Sequence, residues 1–484
     1  MSDHNHDDNS SKPSTADSES TNNSRSGVNR RTFLKSAGVV AASTLAMPHI
    51  WIPNPAIAQT DARGAVKHLL YIRLADGFRF TSAFNGDVTT AHNPWGLADG
   101  VADGTEWGVG ALLERSDWLN EDREQLGLRP VTELTNQIAV LPCVDHEPAS
   151  ARADGNHYTG LERFNTGYVG GPNSFFTMIN SGLHEEFEQA REQGDLVLPA
   201  FSLGDSGMAR GSGEHAAHRP PVIQGDNFEQ FGFSPDDSLP DWAREMAADA
   251  DERYMYSAHG HHRPQIEGYV ETRLAADEFA DVFSDEALQI GNNSDEQIDG
   301  ISNAELATIF GNNRVMRNVR LALRLFHFGS PAVYLNQGRY DLHSGEENRL
   351  PAMMEEMNHI ISGLEVALKT MDHPDGGSYW DHTLVAFGSE FGRTARGSKF
   401  NSARGSDHVG DNATRWMSMP FMGGPIEEAG TGGNTYGATS TDSDLQAQGK
   451  VYSYRSTLKT MMDLLGCDHR DFFPSDDPFE DFLL

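Results

Sequence analysis

This chain predicts an α/β fold, a three-layer α/β/α sandwich around a mostly parallel sheet, on three observations. First, short apolar runs recur along it: 68–74 (HLLYIRL), 137–141 (QIAVL), 332–335 (AVYL) and 383–387 (TLVAF). Such runs are apolar throughout, the mark of strands covered on both faces. Second, helical periods lie between them. Leu350, Met353, Met354, Met357, Ile360, Ile361, Leu364, Leu368 and Met371 share one face of a long amphipathic helix, and 315–328 and 454–465 read the same way. Third, strands and helices alternate, as parallel sheets require for their crossovers.

The chain has 484 residues, enough for one large domain or two. Residues 1–29 are rich in Ser, Asp and Asn, and are expected to be a disordered leader. Arg30-Arg31-Thr32-Phe33-Leu34-Lys35 follows, then an apolar stretch from Ala37 to Met47 stopped by Pro48, then Ala56-Ile57-Ala58. This resembles a twin-arginine signal peptide with its cleavage box, and implies the twin-arginine translocase as a partner and a periplasmic or extracellular destination. The expected organisation is therefore a leader and signal over 1–58 and a single α/β domain over 59–484. An acidic, loop-rich insertion is expected at about 184–300. No later segment is apolar enough to be expected to span a bilayer.

Asp and Glu outnumber Lys and Arg by 71 to 37, a net charge of −34. Nucleic acid is excluded as a partner on that balance, because like charges repel. Cys143 and Cys467 are the only cysteines, too few for a thiolate zinc site, and are expected to be unrelated thiols.

Each predicted strand runs into ionisable residues, and in open α/β sheets sites form beyond the carboxyl ends of strands. Asp76, Asp145, His146, Asp341, His343, Glu390, Asp407 and His408 are the candidates on that ground. Asp341 and His343 are two apart and point the same way in an extended segment. Imidazole with carboxylate suits Zn, Mn or Fe, whereas carboxylates alone suit Mg or Ca. Arg393, with Arg396, suits either bidentate binding of an anion or ion pairing with nearby carboxylates. The histidines at 259, 261 and 262 read as a solvated loop, and His327 and His359 as structural.

Three motifs in order resemble the DUF1501 family of twin-arginine-exported bacterial proteins. Thr383 to Thr394 (TLVAFGSEFGRT) is similar to its GEFGRT element, Tyr340-Asp341-Leu342-His343 to its WDTH element, and Gly405-Ser406-Asp407-His408 to its GRDH element. The 456–474 stretch resembles its C-terminal helix. The family is in turn similar to sulfatases and the alkaline phosphatase superfamily, which implies that sandwich fold and a divalent metal (Zn, Mn, Ca or Mg). Carried over position by position, Asp76, Asp341, His343, Glu390 and His408 would hold metal. Phe391 stands where sulfatases have a histidine. Gly155 to Thr159 resembles the nucleophile segment of nucleotide pyrophosphatases, with Ala153 at the reactive position, so Thr159 or Ser150 is left as the hydroxyl nucleophile and a metal-bound water as the other attacking group. Arg393 would orient the oxyanion. The implied function is an exported metal-dependent hydrolase of phosphate or sulfate esters, with a small anionic ester as substrate. The alternative is a non-enzymatic exported surface or binding protein of the same fold.

Overall fold

The computed structural model describes residues 64–84, 92–146, 156–193, 196–223, 285–395, 403–410, 412–440 and 445–479, with isolated positions between 246 and 283. Ser150, Ala153, Arg396, the leader and the signal segment lie outside these residues.

Eight strands form one mixed sheet: β1 (His68–Leu74), β2 (Ile138–Asp145), β3 (Phe201–Leu203), β4 (Val222–Ile223), β5 (Ala332–Gln337), β6 (Thr383–Gly388), β7 (Trp416–Met422) and β8 (Tyr452–Ser453). Their order is β8-β2-β7-β6-β1-β5-β3-β4. Central β1 runs parallel to β5 and β6, with Tyr71 opposite Tyr334 on one side and Ala386 on the other. Only β7 is reversed, pairing antiparallel with both β2 and β6. All seven residues of β1 and all six of β6 are buried. That is why their sequences are apolar without alternation.

Helices cover both faces. Tyr71 points to one face, where it stacks on Phe164 of α1 (His157–Thr166), meets Phe175 of α2 (Phe175–Gly182) edge-on, and bonds Tyr454 of α5 (Tyr454–Leu464) through the two hydroxyls at 2.9 Å. His68 points to the other, against Phe326 of α3 (Arg314–His327). The long α4 spans Glu346–Thr370. It begins a turn before its apolar period, because Glu346 and Glu347 favour the positive end of the helix dipole and Glu346 is held by Arg79.

The stretch read as an insertion contributes to the sheet. β3 and β4, of three and two residues, add two parallel strands beyond β5. Strands this short carry too few residues to show a period. Cys143 and Cys467 are both buried and are not joined in a disulfide, as expected. Among the described residues, no helix is long and apolar enough to cross a membrane.

Candidate metal centre

The carboxyl ends of β1, β5 and β6 lie side by side in the sheet. β1 delivers Asp76, β5 leads to Asp341 and His343, and β6 to Glu390. Asp76 has φ of +71°, a left-handed conformation that side chains beyond glycine adopt at a cost. Gly77 follows at φ +82° and leaves room for Phe391: a β-carbon there would sit 2.2 Å from its ring.

His157 joins this end of the sheet from the first turn of α1. Asn156 caps that helix, its side chain accepting from the Tyr158 and Thr159 amides. Gly160, one turn later on the same face, lets the helix approach, since a β-carbon there would lie 2.8 Å from the Phe391 ring. His157 Nε2 is then 3.6 Å from Asp341 Oδ1, and its Nδ1 is 3.8 Å from Glu390 Oε1.

The 403–410 segment supplies the remaining groups. The His408 ring lies 5.1 Å from that of His343 and 5.0 Å from that of His157. A buried polar chain fixes this segment: Arg393 Nε donates to Ser406 Oγ at 3.0 Å, Ser406 Oγ donates to Glu346 Oε1 at 2.8 Å, and Arg79 Nη1 donates to Glu346 Oε2 at 2.7 Å. Burial pushes the Glu346 carboxyl up, against the pull of Arg79 and Ser406.

Two groups of donor atoms result: Asp76, His157 and Glu390, and His343, Asp407 and His408, with the atoms of each within 4.8 Å of one another. Asp341 sits between them, 3.0 Å from His343 Nε2. The chemistry of these donors fits a divalent metal. His157 Nε2 and His408 Nδ1 are buried atoms without a hydrogen-bond partner, which is costly unless something binds there.

Electrostatics separate the two groups. Burial alone would raise the Glu390 carboxyl, but Arg73 and His157 outweigh it and hold it down to about 2. Arg73 grips Glu390 through both oxygens, Nε to Oε2 and Nη2 to Oε1, each at 3.1 Å, and reaches Asp205 at 3.0 Å. Glu390 at 3.8 Å, then Asp341 and Asp76, raise the His157 imidazole against the effect of burial. His408 is lowered, by burial first and then by Arg393. Burial and Glu390 raise Asp76. Asp341 is lowered, because Arg393 and the neighbouring imidazoles outweigh its burial.

Of the residues expected from sequence, Asp76, Asp341, His343, Glu390, Asp407 and His408 converge. Asp145, the last residue of β2, and His146 just beyond it lie in neither donor group: Arg415 pairs with Asp145, and His146 Nε2 donates to the Thr414 carbonyl at 3.0 Å. Arg393 is 1 % exposed and all three of its guanidinium nitrogens are engaged: Nη1 donates to Asp341 Oδ1 at 2.8 Å, Nη2 to the Ser406 carbonyl, and Nε to Ser406 Oγ. It positions Asp341 and the 403–410 segment. Thr159 donates its hydroxyl to the Asn156 carbonyl at 3.3 Å, and two residues of helix turn it away from the His157 face. Arg73, Asp205 and His157 were not among the expected residues. A lone arginine inside a wholly apolar strand was the available signal for Arg73, since a buried guanidinium demands carboxylates.

A family model described as a protein of unknown function, DUF1501, matches residues 127–479, well over half of the chain. The chain belongs to the DUF1501 family. The DUF1501 match encloses His157, Asp205, Asp341, His343, Glu390, Asp407 and His408, whereas Arg73 and Asp76 precede it. No curated protein matches the chain.

Proposed function

We propose that this DUF1501 protein is an exported, metal-dependent hydrolase-like protein acting on phosphate or sulfate esters, similar to the sulfatase and alkaline phosphatase superfamily. The observation that carries the proposal is the convergence of three histidines and four carboxylates beyond β1, β5 and β6, with two buried imidazole nitrogens left unpartnered. His343, His408 and Asp407, with Asp341, would hold a divalent metal, and Asp76, His157 and Glu390 form a second donor group beside them. When bound, a divalent ion would supply Lewis-acid polarisation of an ester oxygen.

The chain's own residues do the rest. Arg393 orients Asp341, and the Ser406–Glu346–Arg79 chain holds His408 in place. His157 faces the opening, about one-third exposed, where it can carry a proton to or from a substrate oxygen. The attacking group is a water or the Thr159 hydroxyl, and the orientation of Thr159 favours water. The Arg30-Arg31 signal supports export through the twin-arginine translocase to the periplasm or beyond.

A non-enzymatic exported binding protein of the same fold is the second reading. One observation favours it: Arg393 is wholly engaged, so no guanidinium from this position meets a substrate anion. The deciding experiment measures metal content by mass spectrometry together with hydrolysis of an aryl phosphate and an aryl sulfate. Turnover lost on metal removal and in Asp341→Ala supports the hydrolase. Stoichiometric metal without turnover supports the binding protein, and a folded chain free of metal defeats the metal-dependent reading.

A further inference from the structure

We propose that the Arg73 guanidinium occupies the place of a second cation in this centre, so that the protein takes one divalent metal ion, on the His343–Asp407–His408 side, and not two. The inference rests on the metal-dependent reading above.

Both groups of donor atoms have spacing that suits a metal. They differ in what already neutralises them. Glu390 is 1 % exposed, and two arginine N–H groups point at its two oxygens. The same guanidinium lies 3.0 Å from Asp205 and 3.8 Å from Asp76. It therefore touches three carboxylates at once, as a metal ion would. Unlike a metal it cannot leave: it is anchored in the middle strand of the sheet, and arginine does not lose its proton in proteins. A metal bonded to Glu390 at roughly 2.0–2.2 Å would have to share oxygens that already accept from the guanidinium. It would then sit against a fixed positive charge in a poorly screened site.

The other group has no such occupant. Among the described residues, no guanidinium or ammonium group pairs with His343, Asp407 or His408, and the nearest ion-pair partners of these three are one another and Asp341. Two imidazoles with carboxylate oxygen suit a transition metal. The charges agree. Asp76, Asp205, Asp341, Glu390 and Asp407 carry five negative charges against the two positive charges of Arg73 and Arg393, which leaves three. One divalent ion leaves one negative charge, whereas two would make the centre positive with no anion yet bound.

The test is a metal count. The full chain is stripped of metal, titrated with Mn²⁺ and separately with Zn²⁺ in about 0.2 M salt to screen diffuse binding, and its bound metal counted after gel filtration. Expected are about one equivalent in the wild type, about one in Asp76→Asn, and none in His343→Ala/His408→Ala. Arg73→Met, where circular dichroism shows it folded, is expected to take up a second equivalent. Two equivalents in the wild type, falling to one in Asp76→Asn, would overturn the inference and leave the metal-dependent reading standing. No metal in a folded wild type overturns both.

Discussion

At its amino end β1 begins with His68, and at its carboxyl end it delivers Arg73 and Asp76. Both ends gather histidines, and His157 at the carboxyl end behaves in the opposite way to His68 and His373 at the amino end. At the amino end His68 Nδ1 donates to the Ser330 carbonyl at 2.8 Å. Its Nε2 meets His373 Nε2 at 3.3 Å. His373 Nδ1 accepts from the Asp375 amide, so its Nε2 carries the proton donated to His68. His382 stacks on His373, and Lys67 and Asp375 pair at the edge. His68 and His373 are held neutral: burial drives His68 well down, and burial and His382 take His373 to about 4. At the carboxyl end carboxylates raise His157 instead. The same side chain is a neutral packing and hydrogen-bonding unit at one end and a partner of carboxylates at the other. What decides is whether burial outweighs the nearby carboxylates, as at His373, or the carboxylates outweigh burial, as Glu390, Asp341 and Asp76 do at His157.

The largest effect should come from breaking the charged end. Arg73→Leu leaves Glu390 buried without its guanidinium, and breaking a buried pair in this way costs about 3–5 kcal/mol. Urea unfolding measures it. A loss below about 1 kcal/mol would mean that water reaches Glu390 and that the pair is not the anchor of this end.

Acid should then undo the two ends in sequence. A histidine lowered in the folded state contributes stability that is present above its unfolded value and lost as pH falls through the folded one. For His373 that window runs from 6.5 down to about 4, worth up to about 3 kcal/mol. Glu390, also lowered, keeps its full contribution above 4.5 and loses it only as pH falls towards about 2. The raised His157 acts with the opposite sign: its contribution is complete below 6.5 and fades as pH rises through its folded value. Stability measured from pH 7 to 4 should therefore fall, with the amino end contributing through His373, while the Arg73–Glu390 pair survives. His373→Gln should flatten that fall. A slope unchanged in this variant would show that other buried histidines, such as His146, carry it.

Removing one neutral ring tests the amino end directly. His68→Phe keeps an aromatic ring, a slightly larger one, but leaves the Ser330 carbonyl and His373 Nε2 without partners, a cost of about 1–3 kcal/mol. Metal binding at the far end of the strand should not change. Loss of metal in a folded His68→Phe would mean that the two ends are coupled through β1.

These contrasts mark how far the sequence was legible. The strands of the inner sheet and the carboxylates that follow them could be read because buried parallel strands are apolar throughout and end abruptly. Asp76, Asp341 and Glu390 converge for that reason. His157 was hidden because its place depends on how α1 packs on the sheet, and only Asn156 as a cap and Gly160 one turn on hint at it. Arg73 looked like an interruption in an apolar run, and its three carboxylates come from segments 3 to 317 residues away. β3 and β4 owe their strand form to β5 and not to their own composition.

The smallest effect concerns the packing that brings α1 to the centre. Gly160→Ala gains about 1 kcal/mol of helix propensity. The added carbon would lie 2.8 Å from Phe391 Cδ1 and 3.5 Å from Glu390 Cβ. Phe391 is fully buried and Gly77 blocks it on its other side, so the ring has no room to retreat. Overpacking of this kind costs about 1–3 kcal/mol, which leaves a net loss of about 1 kcal/mol by urea unfolding. Because His157 lies one turn away on the same face, any outward shift of α1 also moves its ring from Glu390. That shift should lower the His157 pKa measured by NMR. A variant as stable as the wild type with His157 titrating unchanged would mean that Phe391 yields freely, and that the two glycines do not set the position of α1.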